Sequence, residues 1–211
     1  MTQARLRDLS LDDFAARLAE KTPTPGGGSV AAHLAALGAA LGCMAFRFTS
    51  GPKFQAVEAA MAPRIAELEQ LRVQAAALID EDSLAYEKVM QAYKLPKASE
   101  EEKARRSSAI QAGLQAAIEV PARTLELAAR ALALLAAGAQ DLNPNVASDC
   151  ASGGWCLLGA AEAAFLNVQI NAAALADKAE GGAQRSACEE RLRQTRASAE
   201  ALRATIAAKI G

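Results

Sequence analysis

The amino-acid sequence predicts an all-α protein, a bundle of about six helices, some of them very long. Three observations lead there. Hydrophobic residues make up 52% of the 211 residues but aromatics only 4%, so the apolar mass is mostly Ala and Leu, which are strong helix formers. Runs of β-branched residues with period two, the mark of a half-buried strand, are missing. Apolar positions instead follow helical spacing through long segments separated by Gly, Pro and Asn. No tandem repeat or low-complexity linker divides the chain, so residues 1–211 read as a single domain.

Residues 4–21 read as a first helix. Ser10 caps its main part, and Leu11, Phe14, Ala15 and Leu18 share one face. Pro23-Thr24-Pro25-Gly26-Gly27-Gly28-Ser29 follows. The prolines forbid regular helix, and the glycines let the backbone approach a ligand or another helix closely. Ser29 is the expected N-cap of a second helix that runs to about Phe48 and ends at Thr49-Ser50-Gly51-Pro52. The N–H groups at such a helix start favour an anion or a polar ligand.

Small residues at 28, 32, 35, 39 and 42 form a stripe on that helix. A chain of 211 residues has little capacity to surround it, so we expect a homodimer that buries this Gly/Ala-rich helix. The uncharged run from Gly26 to Phe46 is near the ~20 residues that span a bilayer, and Gly38-x-x-x-Gly42 is a close-packing motif. Its Ala and Gly content, His33 and the lack of a second lipid-like segment favour a helix packed inside a soluble assembly, away from any membrane.

A helical pattern of about 40 residues covers Lys53 to Tyr93, with Pro63 as a kink or break; at 1.5 Å per residue it approaches ~60 Å. Tyr93 to Ala98 is a loop. Ser99-Glu100-Glu101-Glu102 is a capping box that opens a fourth helix toward Gly138, with Pro121 as a kink. Asp141 to Asn145 is a turn, and Ser148 and Asp149 are expected to cap a fifth helix to about Asp177. Glu180-Gly181-Gly182 reads as a break before a solvated outer helix at about 183–209.

The net charge of −1 gives no electrostatic case for nucleic acid or an anionic membrane surface. Cys43, Cys150, Cys156 and Cys188 form no CxxC pair and read as small hydrophobes in a reducing compartment. Met1 to Asp8 has no apolar signal core, so a cytoplasmic protein is expected. No P-loop, zinc ligand set or Ser-His-Asp order is visible. Gly26-x-Gly28-x-x-Ala31 formally fits a dinucleotide fingerprint but lacks the strand before it.

Polar groups inside apolar helices are costly unless paired or used. The fifth helix holds Asp149, Glu162, Asn167 and Asn171. Asn167 and Asn171 share a face one turn apart, and either line a ligand pocket or make inter-helix hydrogen bonds. Asp149 shares their azimuth but stands ~27 Å away along the axis, so a single small pocket in one subunit cannot use both ends, whereas a dimer or a long ligand could. Of Asp80, Glu81 and Asp82 at most one or two can face inward. Lys53 and Lys97, each beside a proline, are either anion contacts or plain surface. His33 is either a general base or a packed core residue.

Several stretches together carry a family resemblance. They are Pro23-Thr24-Pro25-Gly26-Gly27-Gly28-Ser29-Val30-Ala31-Ala32, Asp82-x-x-Ala85-Tyr86-x-x-Val89-Met90, Leu95-Pro96-Lys97, Ala109-Ile110-Gln111 with Val120-Pro121, Asn143-x-Asn145-x-x-Ser148-Asp149 and Asn167-Val168-x-Ile170-Asn171. In this order they resemble the cyclodeaminase/cyclohydrolase family: the C-terminal domain of formiminotransferase-cyclodeaminase and the stand-alone methenyltetrahydrofolate cyclohydrolases. Gly51-Pro52-Lys53 departs from the Gly-Lys-Lys common in relatives, and His33 is often not a histidine there.

The resemblance implies an all-α homodimer with a folate pocket lined in part by the glycine loop. It implies either water addition to the methenyl bridge of 5,10-methenyltetrahydrofolate, giving 10-formyltetrahydrofolate, or closure of 5-formiminotetrahydrofolate with release of ammonia. The chain shows no formiminotransferase domain, which tilts the expectation toward the cyclohydrolase. Asp82 and Asp149 are then the expected carboxylates and Lys53 the expected acid. Gly26, Gly27, Gly28 and Ser29 would bind the ligand, Asn145, Ser148, Asn167 and Asn171 would orient it, and Lys97 would meet its glutamate tail. No metal or further cofactor is expected, because folate carries the carbon. The rival reading is a non-catalytic helical dimer that binds folate or acts as a scaffold.

Overall fold

The computed structural model describes residues 5–210, and among them there is no strand. Ser10 caps α1 (Leu11–Ala19) as expected, its hydroxyl accepting from the Asp13 N–H. The first helix is shorter than the sequence suggests. Residues Leu6–Asp8 form a separate 3-10 turn, and residue 4 lies outside the described part.

Five long helices make the body: α2 (Gly27–Arg47), α3 (Gln55–Tyr93), α4 (Glu100–Gly138), α5 (Ala147–Ala174) and α6 (Lys178–Ile210). The two 39-residue helices α3 and α4 are each about 58 Å long and run without a break through Pro63 and Pro121. The capping box at the start of α4 is present in full: Ser99 accepts from Glu102 N–H, and Glu102 reaches back to the Ser99 N–H.

α2 lies antiparallel between α3 and α5. Ser29 meets Ile79, Asp82 and Ser83 of α3, and Arg47 at the far end meets Glu69. On the other side Gly27 faces Asn167 of α5, and Gly38 faces Gly153 and Leu157. α4 closes the bundle beneath, with Arg123 bonded to Glu81 and Arg130 to Glu67. α6 packs outside α5 and α4 through Arg196–Glu162 and Arg191–Glu126.

The small-residue stripe is buried inside one chain. Ala32, Ala35 and Ala39 are at most 2% exposed. A Cβ on Gly38 would sit 2.7 Å from the Gly153 carbonyl, and one on Gly42 would sit 2.5 Å from Leu135. This corrects the expectation that a partner must bury the stripe: helices this narrow let a single chain surround α2. The apolar residues left over lie on the opposite face of α2.

Four further expectations are corrected. The N-cap of α2 is Gly26, not Ser29, which lies inside the first turn. The N-cap of α5 is Val146, so Ser148 and Asp149 are first-turn residues and not caps, and α5 ends at Ala174 rather than near Asp177. Gly181 and Gly182 do not break the chain. They lie in the first turns of α6, where a Cβ on Gly181 would meet the Ala172 carbonyl at 2.5 Å. Glycine there is a close-approach residue for the α5–α6 corner. A second segment, residues 144–174, is also long and apolar enough to cross a bilayer, so α2 does not stand alone in that respect.

Candidate functional site

At the start of α2, glycine is required by what lies against it. A Cβ on Gly28 would collide with the Asp82 carboxylate from α3. No side chain caps the first turn of α2 from its own helix. Asp82 of α3 lies against that turn and accepts the Ser29 hydroxyl at 2.9 Å. Burial pushes the Asp82 carboxyl above its ordinary value, and the side-chain and backbone hydrogen bonds of Ser29 pull it back in part. Ser29 is completely buried and spends its hydroxyl on α3.

The other two acidic residues of that stretch face away. Asp80 accepts the Leu6 N–H at 2.6 Å and pairs with Arg7, and Glu81 pairs with Arg123. His33, one turn after Ser29, packs on the Phe14 ring at 5.5 Å, and burial holds it below its ordinary value.

α2 begins at Gly26–Gly27, and α3 and α5 extend beyond that point. On α3, Asp82, Tyr86, Met90 and Tyr93 share one face by helical spacing. On α5, Asn167 and Asn171 share a face one turn apart. The Asn167 amide lies 3.7 Å from a Cβ on Gly27 and donates to the Ala163 carbonyl. Asn171 donates to the Ala117 carbonyl of α4 at 2.8 Å. Asp82 and Tyr93 stand about 16 Å apart along α3.

The end of α3 beyond Tyr93 meets several cations. A cavity of about 390 Å³ is lined by Tyr93, Lys97, Lys103, Arg106, Ser107 and Gln111, among others. Arg106 donates to the Tyr93 carbonyl at 3.1 Å and stacks over the Tyr93 ring at 5.5 Å. Sequence reasoning found Lys97 but not Arg106, since Lys103 to Arg106 reads as an ordinary solvated helix face. Ser83, 3.3 Å from the Ser29 hydroxyl, was equally hidden in a helical run.

The remaining candidates sit at the other end of α2. Thr49 accepts the Asn143 N–H at 3.1 Å, and Asn143 donates to the Phe48 carbonyl and accepts the Asn145 N–H. This pins the loop before α5 to the end of α2. Asn145, Ser148 and Lys53 are exposed there, and Asp149 is half-buried. α2 alone separates this group from Asp82 by about 30 Å. Within one chain the structure therefore gathers Gly26, Gly27, Gly28, Ser29, Asp82, Asn167 and Asn171, with Lys97 among the cations near the end of α3. It does not bring Asp149, Lys53, Asn145 and Ser148 to them.

Among the described residues no three His, Cys, Asp or Glu side chains gather to hold a metal ion. All four cysteines are free; burial pushes Cys43 up to about 11 and Cys150 to about 12, as expected of packed thiols.

Comparison with known proteins adds to this geometry. Residues 10–206 match the family described as formiminotransferase-cyclodeaminase. Formimidoyltransferase-cyclodeaminase of Gallus gallus is 37% identical over 169 residues, which is 80% of this chain and 31% of that protein. Methenyltetrahydrofolate cyclohydrolase of Methylorubrum extorquens is 37% identical over 171 residues, which is 81% of this chain and 82% of that protein. The crystal structure of formiminotetrahydrofolate cyclodeaminase from Thermotoga maritima superimposes with a TM-score of 0.87 at 28% identity, covering 98% of this chain and 100% of that one.

Proposed function

The chain belongs to the formiminotransferase-cyclodeaminase family, and on that footing we propose that it is a folate one-carbon enzyme, a 5,10-methenyltetrahydrofolate cyclohydrolase. The observation that carries this reading is the match to a methenyltetrahydrofolate cyclohydrolase over 82% of that protein's length. The Thermotoga maritima neighbour supports a second reading, 5-formiminotetrahydrofolate cyclodeaminase.

The groups along α3 and α5 suit a folate. Aromatic and thioether side chains follow Asp82 on α3, amides lie on α5, and the cations near the end of α3 attract carboxylates. We place the one-carbon bridge beside Asp82 and the glutamate tail near Lys97 and Arg106. The methenyl form is a delocalised cation, so an apposed carboxylate stabilises it. Asp82 accepts a proton from water as the oxygen bonds to the bridge carbon. The N5–carbon bond then breaks and N5 takes up a proton. The hydroxyl proton leaves as the formyl group forms on N10, so one proton is released overall. Ser29 serves this chemistry through Asp82, and the Gly26–Gly28 backbone faces the ligand. No cofactor beyond tetrahydrofolate is needed, because the substrate carries the carbon.

A homodimer completes the proposal. The outer face of α2 presents Val30, Leu34, Leu37, Leu41, Met44 and Phe48 at helical spacing. The adjoining face of α5 leaves Leu166 63% and Ile170 71% exposed. An isologous pairing of this face with the α2 helices antiparallel sets the start of one α2 against the end of the other. Asp82, Asn167 and Asn171 of one protomer then meet Asp149, Lys53, Asn145 and Ser148 of the other. In that arrangement Asp149 faces the cation and Lys53 supplies the proton to N5. A cytoplasmic location, away from membrane and nucleic acid, belongs to the same proposal.

The test is ultraviolet absorbance of 5,10-methenyltetrahydrofolate with purified protein. Loss of the chromophore faster than in buffer supports the cyclohydrolase. Appearance of the chromophore from 5-formiminotetrahydrofolate supports the cyclodeaminase. Neither event would leave only a helical fold without this activity.

A further inference from the structure

We propose that the Ser29 hydroxyl is a rotor that lets Asp82 hold its proton and release it without leaving any buried polar atom unpaired. The inference rests on Asp82 being the base in the reaction proposed above.

Ser29 Oγ is within hydrogen-bond reach of three oxygens at once: Asp82 Oδ2 at 2.9 Å, the Ile79 carbonyl at 3.0 Å and Ser83 Oγ at 3.3 Å. It has one proton to give, and complete burial excludes a replacement water. With Ser83 donating to Ser29, the proton chooses between the Asp82 carboxylate and the Ile79 carbonyl. When Asp82 is charged, Ser29 donates to the carboxylate and accepts from Ser83. When Asp82 carries a proton, the carboxyl donates to Ser29 Oγ, and Ser29 turns to donate to the Ile79 carbonyl. Ile79 lies four residues before Ser83 on α3, and its carbonyl has a second lone pair besides the one used in the helix.

Both states are fully bonded, so neither incurs the penalty of an orphaned buried group. A fixed donor in the same place would favour the charged form alone. A base that must take a proton from water and give it up within one turnover needs both forms at comparable free energy.

Neighbouring charges do not perform this task. On α3, Asp80 faces Arg7 and the Leu6 N–H, and Glu81 faces Arg123 of α4. On α2, His33 faces Phe14, and α5 presents the neutral Asn167. Ser29 is thus a positioning residue that acts on the substrate through Asp82.

The experiment is a carbon-13 titration of the Asp82 carboxyl in full-length protein labelled at aspartate, with the signal assigned from Asp82→Asn. In Ser29→Ala the Asp82 pKa should rise by about one unit, roughly tenfold in proton affinity, because both forms lose a bond and the bond to the charged carboxylate is the stronger. A rise well beyond about two units marks a fixed donor and overturns the rotor. In Ser83→Ala, which leaves the rotor and both acceptors, the shift should be smaller. The acid limb of kcat should move with the titration in Ser29→Ala while KM stays near wild type. An unmoved Asp82 pKa in folded Ser29→Ala overturns the proposal. Should Ser29→Ala fail to fold, Ser29→Cys keeps the volume with a weak donor and must raise the pKa in the same direction. The titration needs no turnover. A wild-type protein inactive on both folates would refute the function above, and the titration would still decide the rotor.

Discussion

The Asp82 carboxylate fills the space that a side chain on Gly28 would need. Two elements far apart in sequence, the glycine loop and the middle of α3, are thereby fitted to one another to atomic tolerance. Gly28→Ala should displace Asp82 while α2 still forms, since Ala is a good helix residue. We expect a stability loss of about 1–3 kcal/mol from overpacking and a fall in turnover of about 10² or more. Circular dichroism and steady-state kinetics on the same preparation check this pair of outcomes.

Asp82 carries a cost in stability that can be read from pH. Burial raises its carboxyl above the ordinary value of 3.8. The folded chain therefore holds that proton more tightly than the unfolded chain. Between the two values stability falls as pH rises, and the penalty is complete above the folded value. Asp82→Asn should melt at a higher temperature than wild type at pH 7, with the gap closing as pH falls toward 3.8. Calorimetry across that range would detect the opposite sign. Turnover of wild type should fall as pH is lowered through the folded value, because the base is then protonated.

The separation of Asp149 from Asp82 gives a test of the proposed homodimer and of the site proposed to lie between its protomers. Asp82→Asn and Asp149→Asn homodimers should each lose about 10² in turnover. A hybrid of the two, purified with separate tags, keeps one intact site and should recover about half of wild-type turnover. A hybrid as slow as its parents would place both carboxylates of each site in one protomer or remove one from the chemistry. Leu37→Arg, on the 43% exposed centre of the apolar face, should yield a slower-turnover monomer by sedimentation.

Lys97 is exposed, so its share of binding is modest. Lys97→Ala should raise KM roughly 2–5-fold with kcat unchanged, the signature of uniform binding lost from a screened cation. The effect should shrink at high ionic strength. Arg106→Ala should do more, because it also frees the Tyr93 ring and carbonyl.

The long helices were legible because their signals are local: the capping box at Ser99, the Ser10 cap, and the breaks at Pro25 and Pro96. Burial of α2 within one chain was not, because it depends on how close three neighbours come to Gly38 and Gly42. Ser29 and Ser148–Asp149 fit N-cap patterns, yet a glycine and a turn residue hold those places, since packing with α3 and the Asn143 loop fixes where each helix starts. The Asp82, Gly28 and Asn167 cluster was legible residue by residue through a family pattern, while its geometry was not. Arg106 and Ser83 carry no signal in a single sequence, because their roles come from the α3–α4 corner and from the Ser29 hydroxyl.

The most direct measurement follows the 5,10-methenyltetrahydrofolate chromophore with wild type, Asp82→Asn and buffer side by side. We expect wild type to remove the chromophore well above the buffer rate and Asp82→Asn to lose about 10² or more of that acceleration. Equal rates for wild type and buffer would contradict the cyclohydrolase, and equal rates for wild type and Asp82→Asn would remove Asp82 from its centre.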